Sequence, residues 1–199
     1  MADCICLVPC RGGSKGIPAK NLHPLAGRQL VTWAIRQAMV ADIGPVIVVT
    51  DSPDIAKIAD AWGVTAYEEP AEIAGDFVSM ESVMLWFLGQ CRERSGRVPD
   101  WLMVLQPTSP LRLSPMIREA WAVAKSGAFD SVFSAVRSAH CCWRLQGKSL
   151  LVEWPNKGAL LRMTRQEAGQ QWTENGAIYA VKTERFLVTE SRFCPPMYL

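Results

Sequence analysis

"CICLVPCRGGSKGIPAKN", residues 4–21, begins as a short unbroken apolar run and passes directly into a loop holding three glycines, one arginine and two lysines. The run suits a strand buried on both faces. The loop is expensive: glycine costs backbone entropy, and clustered cations repel one another. Something negative therefore belongs there. Glycines let backbone N–H groups approach oxygen closely, and successive N–H groups form an anion nest. Arg11 can grip a phosphate with two hydrogen bonds, while Lys15 and Lys20 supply movable point charges. Two well-known phosphate loops are excluded by spacing. Glycines at 12, 13 and 16 do not make G-x-G-x-x-G, and neither Lys15 nor Lys20 follows a glycine as G-x-x-x-x-G-K-[ST] requires.

Outward from this loop, apolar blocks alternate in type. Val31, Ala34, Ile35, Ala38 and Met39 recur at helical spacing, and "PVIVVT" (45–50) is a β-branched run suited to a buried strand. "DSPDIAKIADAWG" (51–63) reads as a helix with Ser52 as N-cap, Pro53 in its first turn and Gly63 at its stop. Strands are expected at 64–67, 101–106, 131–136 and 176–181, and helices at 79–94, 114–127 and in "TERFLV". This alternation predicts an α/β fold: a Rossmann-like, mainly parallel sheet with helices on both faces. Right-handed crossovers then bring the glycine loop, the Thr50–Ser52 turn and the "QPTSP" turn to one sheet edge, where such folds bind ligands. Regularity fades after Arg137. Residues 1–199 read as a single domain with an excursion at 138–172, containing a hairpin over 140–154, that leaves the main sheet.

Bulk properties exclude several functions. A formal charge of +2 over 199 residues argues for neither nucleic acid nor membrane binding, and no apolar run is long enough to span a bilayer. The N-terminus lacks a basic leader, so it reads as a strand and not a signal peptide. Seven cysteines without a C-x-x-C pair, and with only two histidines, read as free thiols of a cytoplasmic protein. Neither His23 nor His140 has a partner identifiable from sequence; His23 is expected to make a backbone bond.

"RGGSKGIPAKN" strongly resembles the N-terminal signature of the acylneuraminate cytidylyltransferase family. "VVTDSPDIAKIADAWGV", "EPAEIAGD", "LQPTSPLR" (105–112) and "TRQEAGQQWTENGAIYA" (164–180) resemble further blocks of that family in the same order. The resemblance implies a nucleotidyltransferase that uses CTP and a nonulosonic (sialic-type) acid, releases pyrophosphate, and needs Mg²⁺. It also implies a homodimer through the excursion, with each arm helping to complete the neighbour's sugar pocket. It puts Arg11, Gly12, Gly13, Ser14 and Lys15 on the triphosphate, with Lys20 beside them, and Asn21 on the nucleotide; Asp76 matches a family aspartate that is either on the cytidine side or a carboxylate at a helix N-terminus. Gln106, Arg165 and Asn175 face the sugar, and Arg11, Lys15, Lys20 and Arg165 are the catalytic candidates. Asp51 could be a metal or ribose ligand or could help cap the helix that Pro53 starts; the cap is favoured.

The sequence departs from the family at three places. The usual Arg-Pro is Glu69-Pro70, and an acid there must turn outward or contact an amino group, such as that of cytosine. Met80 and Trp86 replace a small polar residue and a histidine, which predicts a more apolar base pocket. The paired aspartates, separated by one residue, that bind metal in the family are absent from these residues, so the metal ligands are unknown and the sequence reads as a fragment. Degraded catalysis with retained nucleotide or sugar binding is the alternative, and a CMP-Kdo-type sugar nucleotidyltransferase is a nearer rival.

Overall fold

The computed structural model describes residues 3–14, 16–75, 77–138, 142–146, 149–154, 164, 166 and 170–199. The chain divides into two compact units, one made of 1–134 with 176–199 and the other of 135–175.

The larger unit is built on the central part of a seven-stranded sheet. In chain order its strands are β1 (Cys4–Pro9), β4 (Val46–Thr50), β5 (Thr65–Glu68), β6 (Trp101–Val104), β7 (Ser131–Ser138), β10 (Gln171–Lys182) and β11 (Met197–Tyr198). They lie side by side as β11-β7-β10-β6-β1-β4-β5. β1 pairs parallel with β4 and β6, β4 with β5, and β11 with β7, whereas β10 runs antiparallel to β6. The expected mainly parallel sheet is present. Two-residue strands β2 (Pro24–Leu25) and β3 (Arg28–Gln29) form a small hairpin ahead of α1 (Leu30–Ala41).

Side-chain alternation along β1 sorts the core into two layers. Cys4, Cys6 and Val8 pack with Val31 and Ile35 of α1, Ile55 of α2 (Pro53–Ala61), and Ile117 and Trp121 of α4 (Ser114–Lys125). Ile5 and Leu7 face the other way, onto Met84, Phe87 and Leu88 of α3 (Met80–Ser95) and onto Phe186 of the short helix Thr183–Thr189. Cys4, Cys6, Cys10, Cys91 and Cys194 are buried free thiols, and burial pushes the first four upward in pKa. Cys141 lies outside the described residues. Among the described residues, no helix is long and apolar enough to cross a membrane.

Helix starts follow local chemistry. Ser52 Oγ accepts from the Ile55 N–H at 3.4 Å, Pro53 opens α2, and Gly63 follows the helix with φ +69°. Ser79 caps α3 by accepting from Ser82 N–H at 3.1 Å. The second unit contains β8 (Cys142–Gln146) and β9 (Ser149–Trp154), an antiparallel hairpin as the sequence predicts, with Trp143 opposite Val152 and Leu145 opposite Leu150.

Candidate functional site

Three loops that follow parallel strands enclose a cleft of about 260 Å³ in the larger unit. The loop after β1 contributes Arg11, Gly13, Ser14, Lys20 and Asn21. The loop after β5 contributes Glu69, Ile73, Ala74, Gly75 and Val78, and α3 adds Met80 and Val83. The turn after β6 contributes Gln106, Pro107 and Thr108. One part of this lining is cationic and rich in small residues, and another is aliphatic. An amphipathic anion fits that division.

The glycine loop is held from behind. Gly12 donates its N–H to Asp51 Oδ1 at 2.5 Å, and a Cβ on Gly12 would stand 2.8 Å from Ser52 Cβ. Gly12 is therefore required for close approach to the Thr50–Ser52 turn, and its N–H is engaged inside the protein. Asp51, for which a helix cap was the favoured reading, instead anchors this loop. Ser52 performs the capping, because its hydroxyl already reaches the helix N–H. Asn21 is buried in a single 3₁₀ turn, Lys20–Leu22, and donates from Nδ2 to Arg11 O at 3.0 Å. Asn21 thus fixes the backbone of Arg11, whose Nη1 donates to Gly75 O at 3.3 Å. His23 is exposed, and its backbone N–H donates to Lys20 O at 3.1 Å, a backbone bond as expected.

Arg11, Gly13, Ser14, Lys20, Asn21 and Gln106 are brought together around one cleft, with Gly12 behind it. Asn175 is exposed and belongs to the second unit. Lys15, Asp76, Arg165 and His140 lie outside the described residues. The prediction of a more apolar pocket is half met. Met80 lines the cleft, whereas Trp86 packs against the core layer beneath α3.

Glu69 does not turn outward. It is 6% exposed and lines the cleft, just beyond the end of β5. Burial and the neighbouring Asp51 carboxylate raise its carboxyl from the ordinary 4.5 to about 7, with Arg11 opposing the rise.

The sequence reading gave no role to Arg112, which ends the "LQPTSPLR" block. It is 3% exposed, and burial lowers its guanidinium to about 10. It donates from Nη1 to Gln106 O at 3.2 Å and to Ala177 O at 2.5 Å, and from Nη2 to Gln37 Oε1 at 2.9 Å. One side chain thereby ties the turn carrying Gln106 to α1 and to β10. Gly176, at φ +71°, lies so close that a Cβ would stand 3.1 Å from Gln106 Oε1. The proximity of an arginine to a proline-bounded turn is the only sequence signal for this clamp.

Comparison with known proteins agrees with the motifs. A cytidylyltransferase family model matches residues 5–179. The chain is 35% identical over 181 residues to N-acylneuraminate cytidylyltransferase A of Danio rerio, an alignment covering 89% of this chain and 41% of that protein. It is 29% identical over 206 residues to an N-acylneuraminate cytidylyltransferase of Streptococcus agalactiae, covering 98% of this chain and 47% of that protein. The chain thus spans less than half the length of these curated relatives. Among solved structures, the fold is shared with a 4-diphosphocytidyl-2C-methyl-D-erythritol synthase, at TM-score 0.71 and 10% identity over 100% of this chain and 88% of that one. It is also shared with CMP:2-keto-3-deoxy-manno-octonic acid synthetase complexed with CTP, at TM-score 0.66 and 16% identity over 92% of this chain and 75% of that one. The ordered motifs, the Rossmann-like sheet and the family match together establish that the chain belongs to the cytidylyltransferase family.

Proposed function

We propose that the chain carries the nucleotide-transfer site of a CTP-dependent cytidylyltransferase that activates a sialic-type nonulosonic acid as its CMP-sugar. The observation that carries this reading is the divided cleft, in which Arg11, Lys20 and the glycine loop face an aliphatic wall. A nucleoside triphosphate has the same division, a polyanion at one end and a planar base at the other.

In this reading the anomeric hydroxyl of the sugar attacks the α-phosphorus. A phosphorus–oxygen bond to the sugar forms, the bond to pyrophosphate breaks, and the hydroxyl proton is lost. Positioning and charge neutralisation dominate such chemistry. Arg11, Ser14 and Lys15 hold the triphosphate, with Gly12 and Gly13 shaping the loop and Lys20 beside it. Asn21 orients Arg11 from below and, with Asp76, faces the nucleotide. Gln106, Arg165 and Asn175 serve the sugar. The hydrogen bonds to Gly12 and Arg11 support this assignment by fixing the loop before a ligand arrives.

Mg²⁺ is the expected counterion of the triphosphate. Among the described residues no group of three or more histidine, cysteine or acidic side chains gathers to hold a metal. A homodimer through 138–172 and a reducing cytoplasmic setting belong to the same reading. Exposed Val136 and Trp172 in the second unit support the first, and five buried free thiols support the second.

Calorimetric titration with CTP tests the site. Arg11→Ala should weaken CTP by about 10- to 100-fold, the loss of one charge-assisted hydrogen bond worth roughly 1.5–3 kcal/mol, while the thermal midpoint holds. Unchanged CTP affinity would remove Arg11 from the phosphate site. Pyrophosphate release on adding N-acetylneuraminic acid with Mg²⁺, and its absence with Kdo, identifies the sugar class.

A further inference from the structure

We infer that Glu69 reads the base: its carboxylate accepts a hydrogen bond from the exocyclic amino group of cytosine and thereby selects CTP over UTP. The inference rests on the cytidylyltransferase reading above and supplies a specificity determinant where the family motif would have an arginine.

Glu69 stands on the loop that also supplies Ile73, Ala74 and Val78 to the cleft wall. It is 6% exposed, and its backbone N–H is fixed by Thr50 O at 2.8 Å. Among the described residues no hydrogen bond or ion pair is made to its carboxylate. The carboxylate opens into the cleft without a protein donor, so water or a ligand in the cleft must meet it. Asp51 worsens the cost of its charge and Arg11 relieves only part of it. A ligand that fills the cleft displaces that water and must supply the donor in its place.

The chemistry of that donor follows from the ligand classes available. Phosphate oxygens, the ribose ring oxygen and the carbonyls of a pyrimidine are acceptors, and a carboxylate repels them; the ribose hydroxyls can donate, but CTP and UTP share them, so they cannot produce a preference between the two. A pyrimidine offers a carboxylate its best donor as the N4 amino group of cytosine. Uracil carries a carbonyl oxygen at the same place. Recognition through a buried polar group discriminates strongly because the wrong ligand leaves that group unpaired. A role confined to balancing the charge of Arg11 would act on the phosphates, which CTP and UTP share.

Titration calorimetry of the 199-residue chain with CTP and UTP separates these possibilities. The native protein should bind CTP at least about tenfold more tightly than UTP, equivalent to about 1.4 kcal/mol. Glu69→Gln should compress that ratio towards one, since its amide can donate to the uracil carbonyl. Glu69→Ala, which offers neither donor nor acceptor, should lose affinity for CTP and not for UTP. A thermal midpoint no lower than that of the native protein shows that each variant folds. If the native protein binds CTP and both variants keep the native CTP-to-UTP ratio, Glu69 does not read the base. If the native protein binds no CTP, the nucleotide reading itself is overturned and this inference with it.

Discussion

At the scale of single residues, Glu69 also leaves a signature on stability. Its carboxyl titrates near 4.5 in the unfolded chain and near 7 in the folded protein. The folded state holds the proton more tightly, so stability is greatest below pH 4.5 and falls as pH rises towards 7. Above 7 the loss is complete, on the order of 1–3 kcal/mol once solvent screening at the open cleft is allowed for. The groups facing Glu69 are Asp51 at the end of β4, and Cys10 and Arg11 after β1. Glu69→Gln removes the titration. Urea unfolding should thus show the variant gaining stability over the native protein between pH 5 and pH 8. A difference that stays constant across this range would mean the carboxyl is not held in a desolvated setting. Arg11, Ser14 and Lys20 were readable in the sequence because a glycine-rich anion loop is defined by neighbours along the chain. The burial of Glu69 was not readable, since it depends on Asp51 and on loops brought alongside by the sheet. Asp51 illustrates the same limit. Its nearest sequence neighbour suggested a helix cap, but its hydrogen bond goes to Gly12, 39 residues away.

At the scale of elements, caps and turns were legible and long-range clamps were not. Ser52, Pro53 and Gly63 act within one turn of the helix they bound, so local pattern was sufficient, whereas Ser79, read as the first helical residue, is the cap of α3. The antiparallel course of β10 carries no such local mark. Arg112 secures that junction. Its three acceptors come from the turn after β6, from α1 and from β10, with the last 65 residues away. A charged group buried at 3% exposure is tolerated because these acceptors meet Nη1 and Nη2, although Nε is left without one. Arg112→Ala would take a charged donor from Gln106 O, Ala177 O and Gln37 Oε1 together, and should cost about 3 kcal/mol in urea unfolding. Arg112→Lys keeps the charge and loses the planar fork, so it should recover only part of that stability. An alanine variant within about 0.5 kcal/mol of native, the range of an ordinary surface change, would show that the clamp contributes little.

At the scale of the whole molecule, the α/β class was legible because alternating strands and helices leave few arrangements that bury both faces of a sheet. The core confirms the logic, with β1 sending alternate side chains into two separate layers. The second unit follows a different rule. Among its described residues are the ends of β7 and β10 and a hairpin of two strands, β8 and β9, and a two-stranded hairpin by itself is at best marginally stable in water. The sequence nevertheless places Leu150, Leu151, Val152, Trp154, Leu160 and Leu161 within it or just beyond it. The register sets Trp143 against Val152 and Leu145 against Leu150, pairing apolar with apolar. Val136 and Trp172, in the same unit, are 51% and 50% exposed. So much apolar chain calls for a covering surface, and a second copy with the same need can provide it. Light scattering at micromolar concentration should therefore give twice the 22.0 kDa chain mass, and Leu150→Asp should shift the protein towards that single-chain mass. A native protein that scatters as one chain at that concentration would remove the dimer and require the apolar residues of 135–175 to be covered in another way.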